Sequence, residues 1–215
     1  MEYEPSLQYS KDIIGGTYTP SDMTGDIHKF CVELEKVLRT KYNVKFMYGS
    51  KVNPHSMDYY DHVVLCGGIG SIEYSKIIGD PIDIYPVKGY SITLEVGNTV
   101  EDAPVVSLLD DEAKIVTSRL GTRLRVAGTA ELAGINYDVR MDRINPLVNW
   151  VRENFPYIST EHTNPWAGLR PMTPNMLPVV RKSKHNNVWY NTGHGHLGWT
   201  LSACTAEMIS DQILG

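Results

Sequence analysis

Gly193-His194-Gly195-His196-Leu197-Gly198 has the spacing G-x-G-x-x-G and lies seventeen residues from the C-terminus. An apolar run, Val188-Trp189-Tyr190-Asn191-Thr192, precedes it, and a helix-patterned run over 199–214 follows it. Strand, glycine turn and helix N-terminus in succession bring backbone N–H groups and a helix dipole toward an electron-rich ligand. The turn is not an ordinary dinucleotide fingerprint. That motif opens a βαβ unit and needs an acidic residue about 20 positions further on, and the sequence ends first. Two readings follow. The glycines form a tight turn only, or they close a cofactor site whose dinucleotide half is built elsewhere.

With 215 residues the chain suits one large domain or two small ones. An apolar share of 42% and a charged share of 21% are those of an ordinary soluble globular protein. A net charge of −5 with no basic cluster argues against nucleic acid as a partner. The three cysteines, Cys31, Cys66 and Cys204, fit neither a disulfide framework nor a C-x-x-C pair, so a reducing compartment is expected. No apolar stretch is long enough to span a bilayer, and Met1-Glu2-Tyr3-Glu4-Pro5 lacks the basic start of a signal peptide. The expected location is the cytoplasm, with peripheral attachment to the inner face of the membrane as the other placement.

Apolar residues Ile27, Phe30, Cys31, Leu34, Val37 and Leu38 recur at helical spacing, with Thr24 or Asp26 as the cap. A short strand is expected over 44–48. The run over 62–66 lacks alternation, which predicts a strand buried on both faces. It leads into Gly67-Gly68-Ile69-Gly70. Antiparallel strands are expected over 84–95, 105–109, 114–118 and 123–128, with turns at Asn98, Asp110-Asp111 and Gly121. A helix over 138–154 contains Pro146, which is expected to kink or divide it. Strands over 161–169 and 188–192 lead to the last helix. Strands in succession with helices set to one side predict an α+β fold.

Pro165-Trp166-Ala167-Gly168-Leu169-Arg170-Pro171-Met172-Thr173-Pro174 carries the most specific pattern. This segment, followed by Asn191-Thr192-Gly193-His194-Gly195 and Leu197-Gly198-Trp199-Thr200, resembles the flavin-dependent D-amino-acid oxidase superfamily. Within it the resemblance is strongest to bacterial D-amino-acid dehydrogenase small subunits. Three further blocks agree. They are Gly15-Gly16-Thr17-Tyr18 with Asp22 and Thr24-Gly25-Asp26, Tyr85-Pro86-Val87-Lys88-Gly89-Tyr90-Ser91, and Arg125-Val126-Ala127-Gly128-Thr129-Ala130-Glu131. The resemblance covers nearly the whole chain.

It implies a partial FAD-binding α/β domain over 1–83, an antiparallel or mixed sheet substrate domain over 84–165 with helices on one side, and a return to the FAD domain over 166–215. The family's N-terminal strand and G-x-G-x-x-G turn, which hold the FAD pyrophosphate, have no counterpart here. The chain therefore reads as the C-terminal part of a split or truncated gene. Other departures are a short segment over 51–60, Asn175-Met176 in place of Asp-Gly, and Arg181 where a glycine is expected. FAD is the expected cofactor, bound weakly or not at all by the isolated chain. The expected partners are a complementing N-terminal FAD-binding chain, a second copy of this chain, and a small amino-acid substrate. Apolar surface is expected to be exposed along 27–38 and 62–66.

The resemblance assigns Arg170 to the substrate carboxylate. A planar guanidinium suits that task because it makes two parallel charge-assisted bonds; the plainer role is a structural ion pair. Trp166 either lines the side-chain pocket or belongs to the core. Tyr90, with Lys88 and Gly89, either runs beside the flavin ring or is a core strand residue. Gly193, His194, Gly195, Leu197, Gly198, Trp199 and Thr200 would face the flavin N1–C2=O edge, where helix N-terminal N–H groups stabilise negative charge. Gly67 and Gly68 would be a secondary contact on the adenosine side, since Glu73 replaces the last glycine of that loop. His194 and His196 offer two imidazoles, but no further ligand stands at zinc spacing, so no metal is expected.

No Ser-His-Asp or P-loop signature is present, and the pairs Glu101-Asp102 and Asp110-Asp111 read as solvated turns. Two functions from different classes remain. One is an FAD-dependent oxidoreductase fragment that deaminates D-amino acids to 2-oxo acids and ammonia when complemented. Glycine oxidase and hydroxyproline dehydrogenase chemistry belong to the same superfamily. The other is a non-catalytic folded remnant, a binding or assembly module without bound flavin.

Overall fold

In chain order the elements are α1 (Ile27–Lys41), β1 (Val63–Leu65), α2 (Ser71–Ile77), β2 (Tyr85–Glu95), β3 (Leu108–Asp110), β4 (Ile115–Leu120), β5 (Arg123–Glu131), α3 (Met141–Asn154), β6 (Thr163–Met172), β7 (Val179–Lys182), β8 (Val188–Thr192) and α4 (Gly198–Leu214). Short 3-10 turns lie at Pro5–Tyr9, Pro54–Tyr59 and Gly68–Gly70. This computed structural model describes residues 3–10, 13–97, 99, 101 and 103–215, with backbone only at Tyr9. Met1, Glu2, Asn98 and Asp102 lie outside the described residues. The architecture is mixed α and β, with an antiparallel sheet and a mixed one.

The chain divides into two units. One is built from Met1–Val32, Lys88–Glu131 and Asn136–Gly168. Its five-stranded sheet has the order β3-β4-β5-β2-β6. Period-two alternation puts Tyr90, Ile92 and Leu94 of β2 and Leu124 and Val126 of β5 on one face. Against that face α3 buries Ile144, Leu147, Trp150 and Val151. Four such side chains bring roughly 6–12 kcal/mol of apolar burial before chain entropy is counted. Helix and sheet meet closely at Gly128, where a Cβ would stand 3.1 Å from Leu147 Cδ2. Pro146 lies inside α3, which continues past it as one helix and is not divided.

The other unit comprises Glu33–Val87, Leu132–Ile135 and Leu169–Gly215. Its sheet has the order β1-β8-β7, with β1 parallel and β7 antiparallel to β8. Tyr190 is completely buried with Ile82 and Ile84, and its hydroxyl donates to the Asp80 carbonyl at 2.9 Å. The Asp80 carboxylate accepts from Arg181 at 2.7 and 3.3 Å and from the Lys184 N–H at 3.1 Å. That pairing gives Arg181 a structural task.

Three expectations need correction. The segment 44–48 is not a strand. The Tyr42 and Val44 N–H groups both return to the Leu38 carbonyl, and Asn43 takes a φ of 54°, so the chain curls back on the end of α1. The strand expected over 62–66 is β1, and it is not buried on both faces, because Val64 is 36% exposed. A short helix, α2, follows the second glycine turn where none was expected.

The expected first helix is present, and Asp26 caps it by accepting from the Lys29 N–H at 3.1 Å. No residue of α1 is buried, so Ile27, Phe30, Val32, Leu34 and Val37 all stand exposed. Among the described residues no helix is long and apolar enough to cross a membrane.

Candidate functional site

β1 and β8 are parallel neighbours, paired Val63↔Val188 through Leu65↔Tyr190. Each ends in a glycine turn and then a helix. Gly67-Gly68 lead to α2, and the turn from Gly193 to Leu197 leads to α4. The carboxyl ends of parallel strands are where α/β sheets bind ligands, because both turns and both helix starts face one crevice. Side chains tie the two turns together. The Ser71 hydroxyl donates to Thr192 Oγ1 at 3.2 Å, and Thr192 Oγ1 donates to the Gly68 carbonyl at 3.4 Å.

A cavity of about 370 Å³ lies here. Its walls include Gly68, Gly193, His194, Gly195 and Gly198, all expected from sequence. Cys66, Pro171, Asn191, Ser202 and Thr205 also line it. Asn191 was missed as a site residue because a lone amide within an apolar strand carries no spacing signal. Its Oδ1 is buried without a hydrogen-bond partner among the described residues. Leu197, Trp199 and Thr200 stand exposed at the start of α4, and Gly67 packs toward Ser71.

The glycines are required by the chain's own packing. Gly193 has φ +76°, and a Cβ there would lie 2.9 Å from Thr173 Cγ2. Gly195 has φ +58°, and its Cβ would lie 2.6 Å from Met172 Sδ. Met172 and His194 form an antiparallel bridge, and the Gly195 N–H donates to the Pro171 carbonyl at 3.0 Å. The two C-terminal motifs are thus brought together, with Arg170 one residue before the carbonyl that anchors the turn.

One expectation changes in consequence. The N–H groups of Gly195 and Leu197 are engaged within the chain, with Pro171 and with the His194 carbonyl at 3.0 Å. The N-cap residue Leu197 makes no side-chain cap hydrogen bond, and the start of a helix carries positive potential that suits an electron-rich ligand.

His194 Nε2 lies 3.0 Å from Thr205 Oγ1, and burial pulls its pKa below the ordinary 6.5. That shift favours the neutral ring. His196 is exposed, and among the described residues no cluster of three metal-ligating side chains occurs. Arg170 is partly buried, and desolvation lowers its pKa. A second cavity, of about 260 Å³, is lined by Asp83, Ile84, Tyr85, Met172, Thr173 and Pro174. No sequence signal pointed to it.

Tyr90 and Trp166 belong to the first unit. Tyr90 is a core residue there, 1% exposed, and its hydroxyl donates to Glu131 at 2.6 Å. Burial, with the Glu131 contact, pushes that hydroxyl up to about 12. Lys88 beside it is completely buried, and its ammonium donates to Asn136 Oδ1 at 2.7 Å and to the Asp138 carbonyl. Trp166 is not a core residue, being 54% exposed. Its ring lies over Gly168 and under the Arg125 guanidinium.

Two glycine turns thus follow a pair of parallel strands in one unit, and the other unit carries an antiparallel sheet. The chain belongs to the FAD dependent oxidoreductase (DAO) family, which it matches over residues 1–212. It is 54% identical over 226 residues to D-amino acid dehydrogenase 3 of Mesorhizobium japonicum, covering 96% of this chain and 54% of that protein. It is 36% identical over 237 residues to D-amino acid dehydrogenase of Dechloromonas aromatica, covering 100% of this chain and 56% of that one. The chain thus spans about half the length of the curated relatives it matches. Its fold resembles glycine oxidase from Bacillus cereus, at a TM-score of 0.60 and 22% identity over 72% of this chain and 43% of that one. It also resembles iminodiacetate oxidase from Chelativorans sp. BNC1, at a TM-score of 0.64 and 18% identity over 73% and 43%.

Proposed function

We propose that this chain carries the flavin-edge and substrate-recognition parts of an FAD-dependent D-amino-acid dehydrogenase. The observation that carries this reading is the junction of the two C-terminal motifs, in which Pro171 and Met172 anchor the turn at His194 and Gly195. It holds the strand bearing Arg170 against the glycine turn. The likeness to D-amino acid dehydrogenases supports the substrate class. Segments 1–83 and 166–215 would belong to the cofactor domain and 84–165 to the substrate domain. The free, exposed cysteines support a reducing compartment.

The residues present suit one end of the cofactor. Leu197 gives α4 no side-chain cap, the crevice is lined by glycines, and Asn191 Oδ1 has no partner among the described residues. A volume of about 370 Å³ is at the low end for sites that enclose a drug-sized ligand, too small for a whole dinucleotide. When bound, FAD would accept the hydride from the substrate Cα. The start of α4 would supply positive potential at the developing charge. Arg170 would orient the substrate by its carboxylate, and neutral His194 would brace the turn through Thr205. The pyrophosphate grip would come from a complementing FAD-binding segment.

The test is a titration of the purified chain with FAD, followed by flavin absorbance, alone and with the complementary part of a dehydrogenase relative. Weak binding alone, and D-amino-acid-dependent bleaching after complementation, is the expected result. Submicromolar binding by the chain alone would remove the need for a partner, and no bleaching in any combination would sink the reading. In the complemented enzyme, Arg170→Lys is expected to raise KM about ten- to hundredfold with little change in Tm. An unchanged KM with a lowered Tm would make Arg170 structural.

A second reading, a binding module without flavin, is favoured by one observation. Gly195 and Leu197 spend their N–H groups within the chain, so the turn holds its shape without a ligand. A colourless, folded complex after complementation would decide for it.

A further inference from the structure

The face of the five-stranded sheet opposite α3 carries an arginine unlike its neighbours. Register places Thr93 beside Arg125 and Ser91 beside Ala127, all on the face turned away from Tyr90, Ile92 and Leu94. The Arg125 guanidinium lies 5.2 Å from the centre of the Trp166 ring. That ring reaches its position because residue 168 is glycine, where a Cβ would fall 2.1 Å from it.

The other arginines of this unit around it are engaged. Arg123 meets Asp26 at 3.0 Å, Arg140 meets Glu131 at 2.7 Å, and Arg119 donates to the carbonyls of Gly97, Thr99 and Ala103. Arg125 is partly buried, and among the described residues no carboxylate lies within ion-pair distance of it. Desolvation lowers its pKa, and the charge on Arg123 adds to the effect. A cation that gives up water without gaining a counter-charge is held at a cost that an anion would relieve. Ser91 is a separate pointer. It is 1% exposed, and its hydroxyl has no hydrogen-bond partner among the described residues. As the diagonal neighbour of Arg125 it stands roughly 7 Å away.

We propose that Arg125, supported on the Trp166 ring and with Ser91 on the same face, binds the carboxylate of a small acidic ligand. The guanidinium would make a two-pronged contact and the aromatic shelf would hold its plane. A role in selecting amino acids with an acidic side chain rests on the dehydrogenase reading above; the anion site itself does not. Flavin is absent from the test, so a lack of bleaching in every combination would sink that reading and leave this one standing.

The test is a calorimetric titration of the purified chain with glutarate at constant ionic strength. Saturable binding is expected, weakened about tenfold or more by Arg125→Gln and changed less than about twofold by Arg123→Gln, whose partner is Asp26. Wild-type affinity in Arg125→Gln, or no saturable binding by the wild-type chain, overturns the proposal. A second measurement needs no variant. Phenylglyoxal should modify Arg125 in the wild-type chain, and glutarate should slow that reaction while leaving Arg123 unprotected. Equal protection at both arginines, or at neither, also overturns it.

Discussion

Replacing Gly195 by alanine separates the two demands placed on the glycine turn. The backbone there has φ +58°, and an L side chain in that region costs about 1–2 kcal/mol. The new Cβ would also lie 2.6 Å from Met172 Sδ, so the contact must open by about 1 Å to reach ordinary separation. Overfilling of that kind costs about 1–3 kcal/mol. Gly195→Ala is therefore expected to destabilise the protein by about 2–5 kcal/mol. Gly198→Ala is the internal control. It opens α4, and its Cβ would meet His194 Cβ at an ordinary 3.4 Å, so the change should be neutral or stabilising by up to about 1 kcal/mol. Urea unfolding followed by tryptophan fluorescence gives both values, provided the slopes agree. Adding Met172→Ala completes a double-mutant cycle. The coupling should recover the steric share, about 1–3 kcal/mol, and leave the backbone share in place. If the two glycine variants differ by less than about 0.5 kcal/mol, or the cycle shows no coupling, the turn is not held as described.

Asp80→Asn should cost about 1–2 kcal/mol by urea unfolding, a figure reduced because Arg181 is 44% exposed. The Arg181 guanidinium holds the Asp80 carboxyl below its ordinary 3.8, so that stability is present above pH 3.8 and is lost as pH falls through the folded value; the variant's Tm should decline less over this range. Burial holds His194 below 6.5, so the unfolded chain takes its proton first and stability falls as pH drops below 6.5; His194→Gln should flatten this part of a Tm-against-pH curve, and an unchanged slope would remove His194 as its source. Tyr90→Phe should lower Tm, because Glu131 loses its 2.6 Å donor, without altering ultraviolet titration of the other tyrosines below about pH 11.

Local chemistry made much of the site legible. The run Val188-Trp189-Tyr190, two left-handed glycines and an apolar helix pattern specify strand, turn and helix without outside help, and β8 and α4 stand where those signals lie. Asp26 caps α1 for the same reason. What escaped depends on partners far along the chain. Arg181 and Asp80 are 101 residues apart, and nothing in either segment announces the other. The seating of Arg125 on Trp166 follows from strand placement in the sheet, which composition does not encode. The apolar run around Val64 looked like a central strand because continuous apolar strands are usually covered twice. Its place at the sheet edge is a property of strand order, and the exposure of Val64 depends on what packs over that face.

The parallel pairing of β1 with β8 also sets a timetable for synthesis. Val63 pairs with Val188, so 125 residues separate the partners (188 − 63). At ribosomal speeds of 5–20 residues per second, β1 emerges roughly 6–25 s before the strand it needs. The hairpin of β4 and β5, by contrast, closes within a few residues around Gly121. The sheet unit with its local turns can therefore begin to assemble while the glycine-lined crevice has only one wall. The last stretch of translation should therefore be the one that assembles the crevice.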